Sequence, residues 1–337
     1  MTDTNARTPL STGEVGWGIL ATGGIARLFA RDLATHGHRI AAVGSRAPES
    51  ARRFADEFDI PAAHGSYADL VADPQVDIVY VATPHHLHLT NASDALANDK
   101  HVLVEKAFTL NAAEASAVVD LGRERGLLVM EAMWTRFLPH MAFVRDVIAS
   151  GRIGEVRSLH ADHTQDLPTE PTHRLNDLAL GGGALLDLGV YPLSFAHDLL
   201  GPPTKVTAHG VLGPTGVDVA VATILDHGSG VVSTSFSSLR THGPNRAAVL
   251  GTEGRIEIDA IWYAPTAVTV LDAHNRPVER FAPSVSGRGM QYQAAEAERL
   301  LAAGERVSPL MTPEDSLAVM ATMDQVRAAI GLRYPGE

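Results

Sequence analysis

The first part of the chain alternates short apolar runs with segments in which apolar residues recur at helical spacing. The apolar runs cover residues 15–20, 40–43, 78–82, 101–104 and 127–130. After the first run, Ile25, Phe29 and Leu33 stand four residues apart, the spacing of a helix that buries one face. Alternating strands and helices of this kind predict a doubly wound parallel sheet.

The pattern changes beyond Pro139, where strand-like runs follow one another with few helices between them. The runs cover residues 156–161, 205–211, 217–225, 231–236, 247–250 and 255–258. Helical patterns lie near residues 143–148, 185–200, 290–302 and 313–330. Successive strands predict an α+β domain with a largely antiparallel or mixed sheet. We therefore expect a flexible tail over residues 1–14, a first domain over 15–135 and a second over 136–337, with a cleft between the domains.

Composition and charge exclude several classes of protein. Hydrophobic residues make up 45% of the 337 residues and charged residues 20%, an ordinary globular balance. The formal net charge of -12 argues against nucleic-acid or membrane-surface partners. The absence of cysteine excludes disulfides and thiolate chemistry. The first fourteen residues lack the apolar core of a secretory signal, and no apolar run looks long enough to span a bilayer, so we expect a cytoplasmic enzyme.

A glycine turn follows the first strand. The residues Ala21, Thr22, Gly23, Gly24, Ile25 and Ala26 fit G-x-G-x-x-G/A, with alanine at the first glycine position. At the head of a βαβ unit this turn is typical of Rossmann domains, where free N–H groups at a helix N-terminus bind a pyrophosphate. The alternative is a simple glycine-rich turn without a ligand.

The end of the second strand favours one of the two nicotinamide dinucleotides. Ser45 and Arg46 stand where NAD-binding domains carry an acidic residue on the ribose. Both side chains can donate to a 2′-phosphate, whereas a carboxylate would repel it. We therefore predict NADP, with NAD possible, although Glu49 lies nearby and an ordinary surface arginine is the alternative.

Two more clusters lie at predicted strand ends, where open α/β sheets bind their ligands. The first contains Thr83, His85 and His88, which we interpret as cofactor-packing or helix-capping residues rather than metal ligands. The second is Glu105 and Lys106, where the lysine ammonium could stabilise alkoxide character on a substrate oxygen. The alternative for Lys106 is a plain solvated lysine.

A third cluster follows three consecutive glycines. Asp187 and Tyr191 are four residues apart, so a helix would place both on one face and on one ligand. A neighbouring ammonium such as that of Lys106 would lower the pKa of the Tyr191 phenol toward the range of a general base. The alternative is a helix N-terminus in which Asp187 compensates the dipole. Residues 164–178 and 284–292 are predicted to shape the substrate pocket.

Taken together, these clusters resemble the Gfo/Idh/MocA oxidoreductases from about residue 15 to the end of the chain. Within that family the resemblance is strongest to the branch of dimeric dihydrodiol dehydrogenases and NADP-dependent D-xylose dehydrogenases. It is carried by residues 17–19 (WGI), 130–139 (MEAMWTRFLP) and 182–191 (GGALLDLGVY). The resemblance implies an open, mostly antiparallel second sheet and a homodimer formed through it.

The resemblance also implies roles for single residues. Lys106 matches the lysine of the Glu-Lys-Pro motif, Tyr191 stands where most members have histidine, and Asp187 matches a substrate-side aspartate. Arg46 matches the arginine on the 2′-phosphate. Further candidates line the cleft by analogy, with cofactor or substrate contacts expected for Trp134, Arg136 and His163. Two departures are Ala21, in place of the first glycine, and Ala107, in place of the proline after the lysine.

The predicted function is an NADP-dependent oxidoreductase that moves a hydride between the nicotinamide and a CH–OH or C=O carbon. The expected substrate is a sugar, a cyclic polyol or a trans-dihydrodiol. Tyr191 would transfer the proton, Lys106 would assist it and Asp187 would orient the substrate. One alternative is a reductase of an anhydroketose or a related carbonyl. Another is a non-catalytic dinucleotide-sensing regulatory protein, which would have no chemical need for Lys106 and Tyr191.

Overall fold

The computed structural model describes residues 14–337, so the tail predicted for residues 1–14 lies, except for Glu14, outside the described residues. The first sheet has six parallel strands in the order β3-β2-β1-β4-β5-β6. They are β1 (Trp17–Leu20), β2 (Ile40–Gly44), β3 (Ala62–His64), β4 (Ile78–Val81), β5 (His101–Glu105) and β6 (Val129–Ala132). The predicted doubly wound parallel sheet is confirmed, and its order reverses direction beside β1, the position at which such sheets bind ligands.

Helices connect these strands and cover the sheet. They are α1 (Gly24–Thr35), α2 (Pro48–Phe58), α3 (Tyr67–Ala72), α4 (His88–Ala97) and α5 (Ala112–Arg125). The buried face predicted for α1 is confirmed, since Phe29 and Leu33 are fully buried and Ile25 packs against the same core. β1 and β4 are buried along their whole length, as expected for strands covered on both faces.

The second sheet has eight strands in the order β14-β13-β12-β11-β7-β10-β9-β8. They are β7 (Val156–Thr164), β8 (Lys205–Leu212), β9 (Asp218–Asp226), β10 (Val232–Ser238), β11 (Ala247–Gly251), β12 (Gly254–Ile258), β13 (Val268–Asp272) and β14 (Pro277–Phe281). All neighbouring pairs are antiparallel except β7 and β10. The prediction of a mostly antiparallel second sheet is confirmed.

The two faces of the second sheet differ in burial. The remaining helices are α6 (Pro139–Ala149), α7 (Val190–Leu200), α8 (Gln291–Ala303) and α9 (Pro313–Ile330). α9 packs against β8 and α7 against β7, so Val221 and Leu225 of β9 are buried beneath them. The register places Val211, Ile224 and Phe236 together on the opposite face, where each is more than 40% exposed, at 52%, 53% and 43%. One face of this sheet is therefore open and partly apolar.

One helical segment corrects an expectation from the sequence. Leu178–Leu200 is long and apolar enough to cross a membrane by length and composition, but 78% of its apolar window is buried inside the protein. Its apolar residues face the protein core. The segment is therefore a core element, and it includes the region that carries Asp187 and Tyr191.

Candidate active site

A cleft of about 550 Å³ runs from the glycine turn across the carboxyl ends of the parallel strands to the second sheet. It is lined by most of the residues predicted for the site: Thr22, Gly23, Gly24, Ile25, Ser45, Arg46, Thr83, His85, Glu105, Lys106, His163, Asp187 and Tyr191. The structure thus brings residues from both halves of the chain to one surface.

The glycine turn leaves room for a ligand at the N-terminus of α1. A Cβ atom added at Gly23 or Gly24 would meet no protein atom within 4 Å. The first turn of α1 has no acidic side chain, so its free N–H groups present an uncompensated positive end. Ala21 has a φ of +93°, a conformation that glycine adopts without strain, which explains why a glycine would suit this position. The turn fits a dinucleotide pyrophosphate.

The far end of the cleft carries the residues expected beside the adenosine ribose. Ser45 directly follows the second strand and is buried, whereas Arg46 beside it is exposed in the cleft. Tyr67, which the sequence analysis missed, lines the same end of the cleft as Arg46. Burial raises the pKa of Tyr67 despite the arginine, so its hydroxyl keeps its proton. This end offers donors and suits a phosphate group.

Lys106, Asp187 and Tyr191 meet at the other end of the cleft. The Lys106 Nζ donates to the backbone carbonyl of Asp187 at 2.8 Å and lies 3.6 Å from Asp187 Oδ1. The same Nζ lies 4.9 Å from the centroid of the Tyr191 ring. Arg174, another residue that the sequence analysis did not single out, approaches Asp187 Oδ1 at 3.3 Å. An ammonium, a carboxylate and a phenol therefore converge at this end of the cleft, as the sequence predicted.

The carboxylate and the ammonium are both charged in the fold. Burial alone would raise the pKa of Asp187, but the charges of Lys106 and Arg174 outweigh it and hold that pKa well below its usual range. Burial likewise acts to lower the pKa of Lys106, and the charge of Asp187 reverses this, so the pKa of the lysine is raised. The pair remains ionised through the neutral range.

The expectation that Lys106 would lower the pKa of Tyr191 below its ordinary value is wrong. Burial of the phenol outweighs the ammonium, so the pKa of Tyr191 is raised. The charge of Lys106 and a hydrogen bond from Trp134 act in the opposite direction and limit the rise. Tyr191 is therefore a protonated phenol at neutral pH, ready to donate a proton.

A π-helix presents Asp187 to the cleft, and the first turn of α7 presents Tyr191. Residues Leu185–Gly189 form this π-helix, which continues into α7. Its start is held by Asp218, whose Oδ2 accepts from the backbone N–H of Leu185 at 2.6 Å. A Cβ atom at Gly183, whose φ is +127°, would lie 2.1 Å from Asp218 Oδ1, so only glycine fits there. π-Helical turns occur often at functional sites because they redirect side chains and free backbone groups.

Three predicted contact residues lie behind the cleft surface rather than on it. Trp134 is fully buried, and its Nε1 donates to the Tyr191 hydroxyl at 2.9 Å. Arg136 donates from Nε to Ser194 Oγ at 2.9 Å and from Nη2 to the Ser194 carbonyl at 3.0 Å. The His88 ring contacts the carbonyl of Thr83 at 2.8 Å and that of Ala107 at 3.0 Å. The structure corrects the expectation that these residues line the cleft, since their polar atoms bond to groups of the protein interior.

His163 lines the cleft beside Tyr191. Its ring stacks on Tyr263 with centroids 3.7 Å apart and meets the Tyr191 ring edge-on at 4.9 Å. Burial lowers the pKa of His163 to about 3, so the ring is neutral. Its Nε2 lies 2.9 Å from Gln165 Nε2, which can donate to it. Burial also lowers the pKa of His85 to about 3.

Some lining residues were not singled out by sequence reasoning, and most of them come from loops. Gln165 and Arg174 lie in the loop over residues 164–178 and Arg288 in the loop over 284–292, the two segments expected to shape the pocket. Their presence in the cleft depends on how distant loops fold back, which no local pattern encodes. Among residues 14–337, no three histidine, aspartate or glutamate side chains cluster in a way that could hold a metal ion.

The open glycine turn, the phosphate-suited end and the acid/base cluster together define a dinucleotide-dependent oxidoreductase site. Comparison with known proteins agrees with this class. Residues 15–133 match a family model described as an oxidoreductase family with an NAD-binding Rossmann fold. Residues 141–257 match the GFO/IDH/MocA C-terminal domain. The chain belongs to the Gfo/Idh/MocA family of oxidoreductases, as the resemblance predicted.

The relatives cover nearly the whole chain. Trans-1,2-dihydrobenzene-1,2-diol dehydrogenase of Mus musculus is 36% identical over 332 residues, which are 95% of this chain and 98% of that protein. The Homo sapiens enzyme of the same name is 35% identical over 328 residues, with the same coverage. A 3-ketoreductase from Actinomadura kijaniata, solved with NADP and TDP-benzene, has a TM-score of 0.84 at 28% identity, covering 94% of this chain and 98% of that one. An aldose-aldose oxidoreductase from Caulobacter crescentus, complexed with glycerol, has a TM-score of 0.83 at 26% identity, covering 94% and 97%.

Proposed function

We propose that the enzyme transfers a hydride between NADP and a CH–OH or C=O carbon of a sugar, a cyclic polyol or a trans-dihydrodiol. The observation that carries this proposal is the convergence of Lys106, Asp187 and Tyr191 at one end of a cleft whose other end suits a dinucleotide. The names of the relatives support this substrate range, since they are a dihydrodiol dehydrogenase, a 3-ketoreductase and an aldose-aldose oxidoreductase.

Each residue of the cluster has a distinct task. NADP, when bound, supplies or accepts the hydride at its nicotinamide ring. The Tyr191 phenol exchanges a proton with the substrate oxygen, and the Lys106 ammonium stabilises negative charge that develops on that oxygen. Asp187 accepts a hydrogen bond from a substrate hydroxyl and keeps Lys106 charged. Trp134 holds the phenol through its indole N–H.

The protonated state of Tyr191 favours carbonyl reduction at neutral pH, because reduction consumes a proton at the substrate oxygen. The same site catalyses oxidation once the phenol gives up its proton at higher pH. A reductase of an anhydroketose or a related carbonyl is therefore the second candidate function, and the ratio of oxidised to reduced cofactor in the cell would select the direction.

Support for NADP over NAD comes from the adenosine end of the cleft. Arg46 and Ser45 can donate to a 2′-phosphate, and Tyr67 adds a third donor beside them. The acidic side chains that line the cleft, Glu105 and Asp187, both belong to the opposite, reacting end. At the adenosine end, a 2′-phosphate would therefore lie beside hydrogen-bond donors and beside none of the carboxylates that line the cleft.

Domain limits, assembly and location complete the proposal. We assign residues 15–135 to the cofactor domain and 136–337 to the substrate and dimerisation domain. The open face of the second sheet, with Val211, Ile224 and Phe236 exposed on it, would be buried in a homodimer. A cytoplasmic location, expected from the sequence, is part of the proposal.

A spectrophotometric substrate screen tests the proposed function. Pentoses, hexoses, anhydrosugars, inositols and cyclic diols are each incubated with NADP and, in parallel, with NAD, and nicotinamide absorbance is followed in both directions. Turnover of at least one sugar or diol with NADP is expected. Tight NADP binding without turnover across the panel would contradict the proposal and favour a dinucleotide sensor.

A further inference from the structure

The cleft contains a cationic side chain that the proposed chemistry does not use. Arg46 serves the adenosine end, and Lys106 and Arg174 both approach the Asp187 carboxylate. Arg288 also lines the cleft and is exposed. Within residues 14–337 its guanidinium forms no hydrogen bond and no ion pair, and its close contact is the ring of Trp134, with Cζ 4.9 Å from the ring centroid.

The backbone of Arg288 is fixed by a buried carboxylate from the other domain. Asp32 of α1 is 3% exposed, and its two oxygens accept from the Arg288 N–H at 3.1 and 3.0 Å and from the Met290 N–H at 2.9 Å. Gly287, with a φ of +73°, allows this approach, because a Cβ there would lie 2.2 Å from Asp32 Oδ1. A buried carboxylate is costly unless it is hydrogen-bonded, so this clamp fixes the loop that carries Arg288.

Trp134 places Arg288 beside the reacting groups. The Trp134 indole lies between Arg288 and Tyr191. Its ring face contacts the Arg288 guanidinium, and its N–H donates to the Tyr191 hydroxyl. A guanidinium that stacks on an aromatic face keeps its in-plane N–H donors available for a second ligand. Those donors suit a planar carboxylate or a phosphate, which can accept two of them at once.

The charges around this end of the cleft leave a positive excess. Lys106, Arg174 and Arg288 contribute three positive charges. Asp187 and the buried Glu105 contribute at most two negative charges. Asp187 would therefore not repel an anion strongly, because its own charge is matched by Lys106 and Arg174.

We propose that Arg288 binds an anionic substituent of the substrate, a carboxylate or a phosphate, so that the preferred substrates are acidic sugars or diols rather than neutral ones. This inference rests on the proposed function and narrows its substrate class. Asp32 and Gly287 act as positioning residues, since they hold the loop and do not touch the substrate.

Direct binding tests this proposal without requiring turnover. The protein is saturated with NADP, and the affinities of D-glucose, D-glucuronate and D-glucose 6-phosphate are measured by calorimetry. We expect at least one of the two anions to bind about 10- to 100-fold more tightly than glucose, the range of a bidentate charge-assisted contact. Arg288→Gln should reduce that preference to near unity while leaving the affinity for glucose unchanged, and Arg288→Lys should retain part of it. Arg125→Gln, on an exposed arginine of α5, is the matched control.

A second variant tests the clamp itself. Gly287→Ala keeps the arginine but forces the loop away from Asp32, so it should reduce the preference for the anion without changing NADP affinity. The proposal is overturned if the wild-type protein binds glucose and both anions equally. It is also overturned if Arg288→Gln weakens only NADP, because the anion would then be the cofactor diphosphate. Failure of the substrate screen with the anion preference intact would refute the proposed function, and it would overturn the claim that the bound anion belongs to a substrate while showing that Arg288 binds an anion.

Discussion

Replacing Trp134 by phenylalanine removes the indole N–H that donates to the Tyr191 hydroxyl at 2.9 Å. Both side chains are buried, so water does not readily substitute for the lost donor. A hydrogen bond to a group that carries charge contributes about 1.5–3 kcal/mol. At about 1.36 kcal/mol per factor of ten, Trp134→Phe should lower kcat about 10- to 150-fold if phenolate character develops on Tyr191 in the transition state.

The same variant should move the pH dependence of the reaction. Burial raises the pKa of Tyr191, and the hydrogen bond from Trp134 lowers it, so loss of that bond raises the pKa further. In the oxidation direction the active form is the deprotonated phenol, and the rising limb of the pH profile should therefore shift to higher pH.

The assay is steady-state kcat and KM across the pH range, with a substrate found in the screen. Trp17→Phe is the matched control, because Trp17 is also fully buried and donates its indole N–H to Glu298 rather than to the cleft. Trp17→Phe should lower the free energy of unfolding and leave the pH profile of kcat unchanged. If Trp134→Phe kept the wild-type kcat and the rising limb of its pH profile did not shift, the role given to the hydrogen bond between Trp134 and Tyr191 would be refuted.

Two further predictions concern the cofactor and acid stability. Arg46→Ala should raise the KM for NADP about 10- to 100-fold and leave that for NAD nearly unchanged, as measured by kcat/KM with each cofactor; equal losses with both would contradict a 2′-phosphate contact. Burial lowers the pKa of His197 and His140 to about 4, below the unfolded value near 6.5. As pH falls from about 6.5 toward 4, protons bind the unfolded chain but not these buried rings, so the stability present above pH 6.5 is progressively lost. His197→Gln should flatten the fall of the unfolding midpoint between pH 7 and 5, and a slope identical to wild type would contradict this assignment.

Local sequence patterns were sufficient to predict site residues that lie at one strand end or at the start of one helix. The turn at Gly23, the pair at Glu105 and Lys106, and the spacing of Asp187 and Tyr191 are each local in sequence, and the structure brings them to one cleft. Parallel strands make this inference possible, because their carboxyl ends share one edge of the sheet.

Long-range packing explains what the sequence analysis missed. β3 is short and only partly buried, and β13 and β14 form a hairpin at the sheet edge with little distinctive pattern. Arg174 and Arg288 reach the cleft from loops whose path depends on contacts such as the one between Asp32 and Arg288, 256 residues apart. The pKa of Tyr191 is set mainly by burial of the phenol, which the sequence does not reveal. The direction of its pKa shift was therefore predicted wrongly.

The central claim is that the Lys106 ammonium and the Tyr191 phenol act together on one substrate oxygen. The most direct measurement is a double-mutant cycle on kcat with Lys106→Met, Tyr191→Phe and the double variant, with NADPH affinity measured for each. Lys205→Met, on an exposed lysine at the start of β8, is the control. We expect NADPH affinity to be retained and the double variant to be about as slow as the slower single variant, because groups that act as a unit are not additive. Losses in kcat that multiply in the double variant, or a wild-type kcat in Lys106→Met, would contradict the claim.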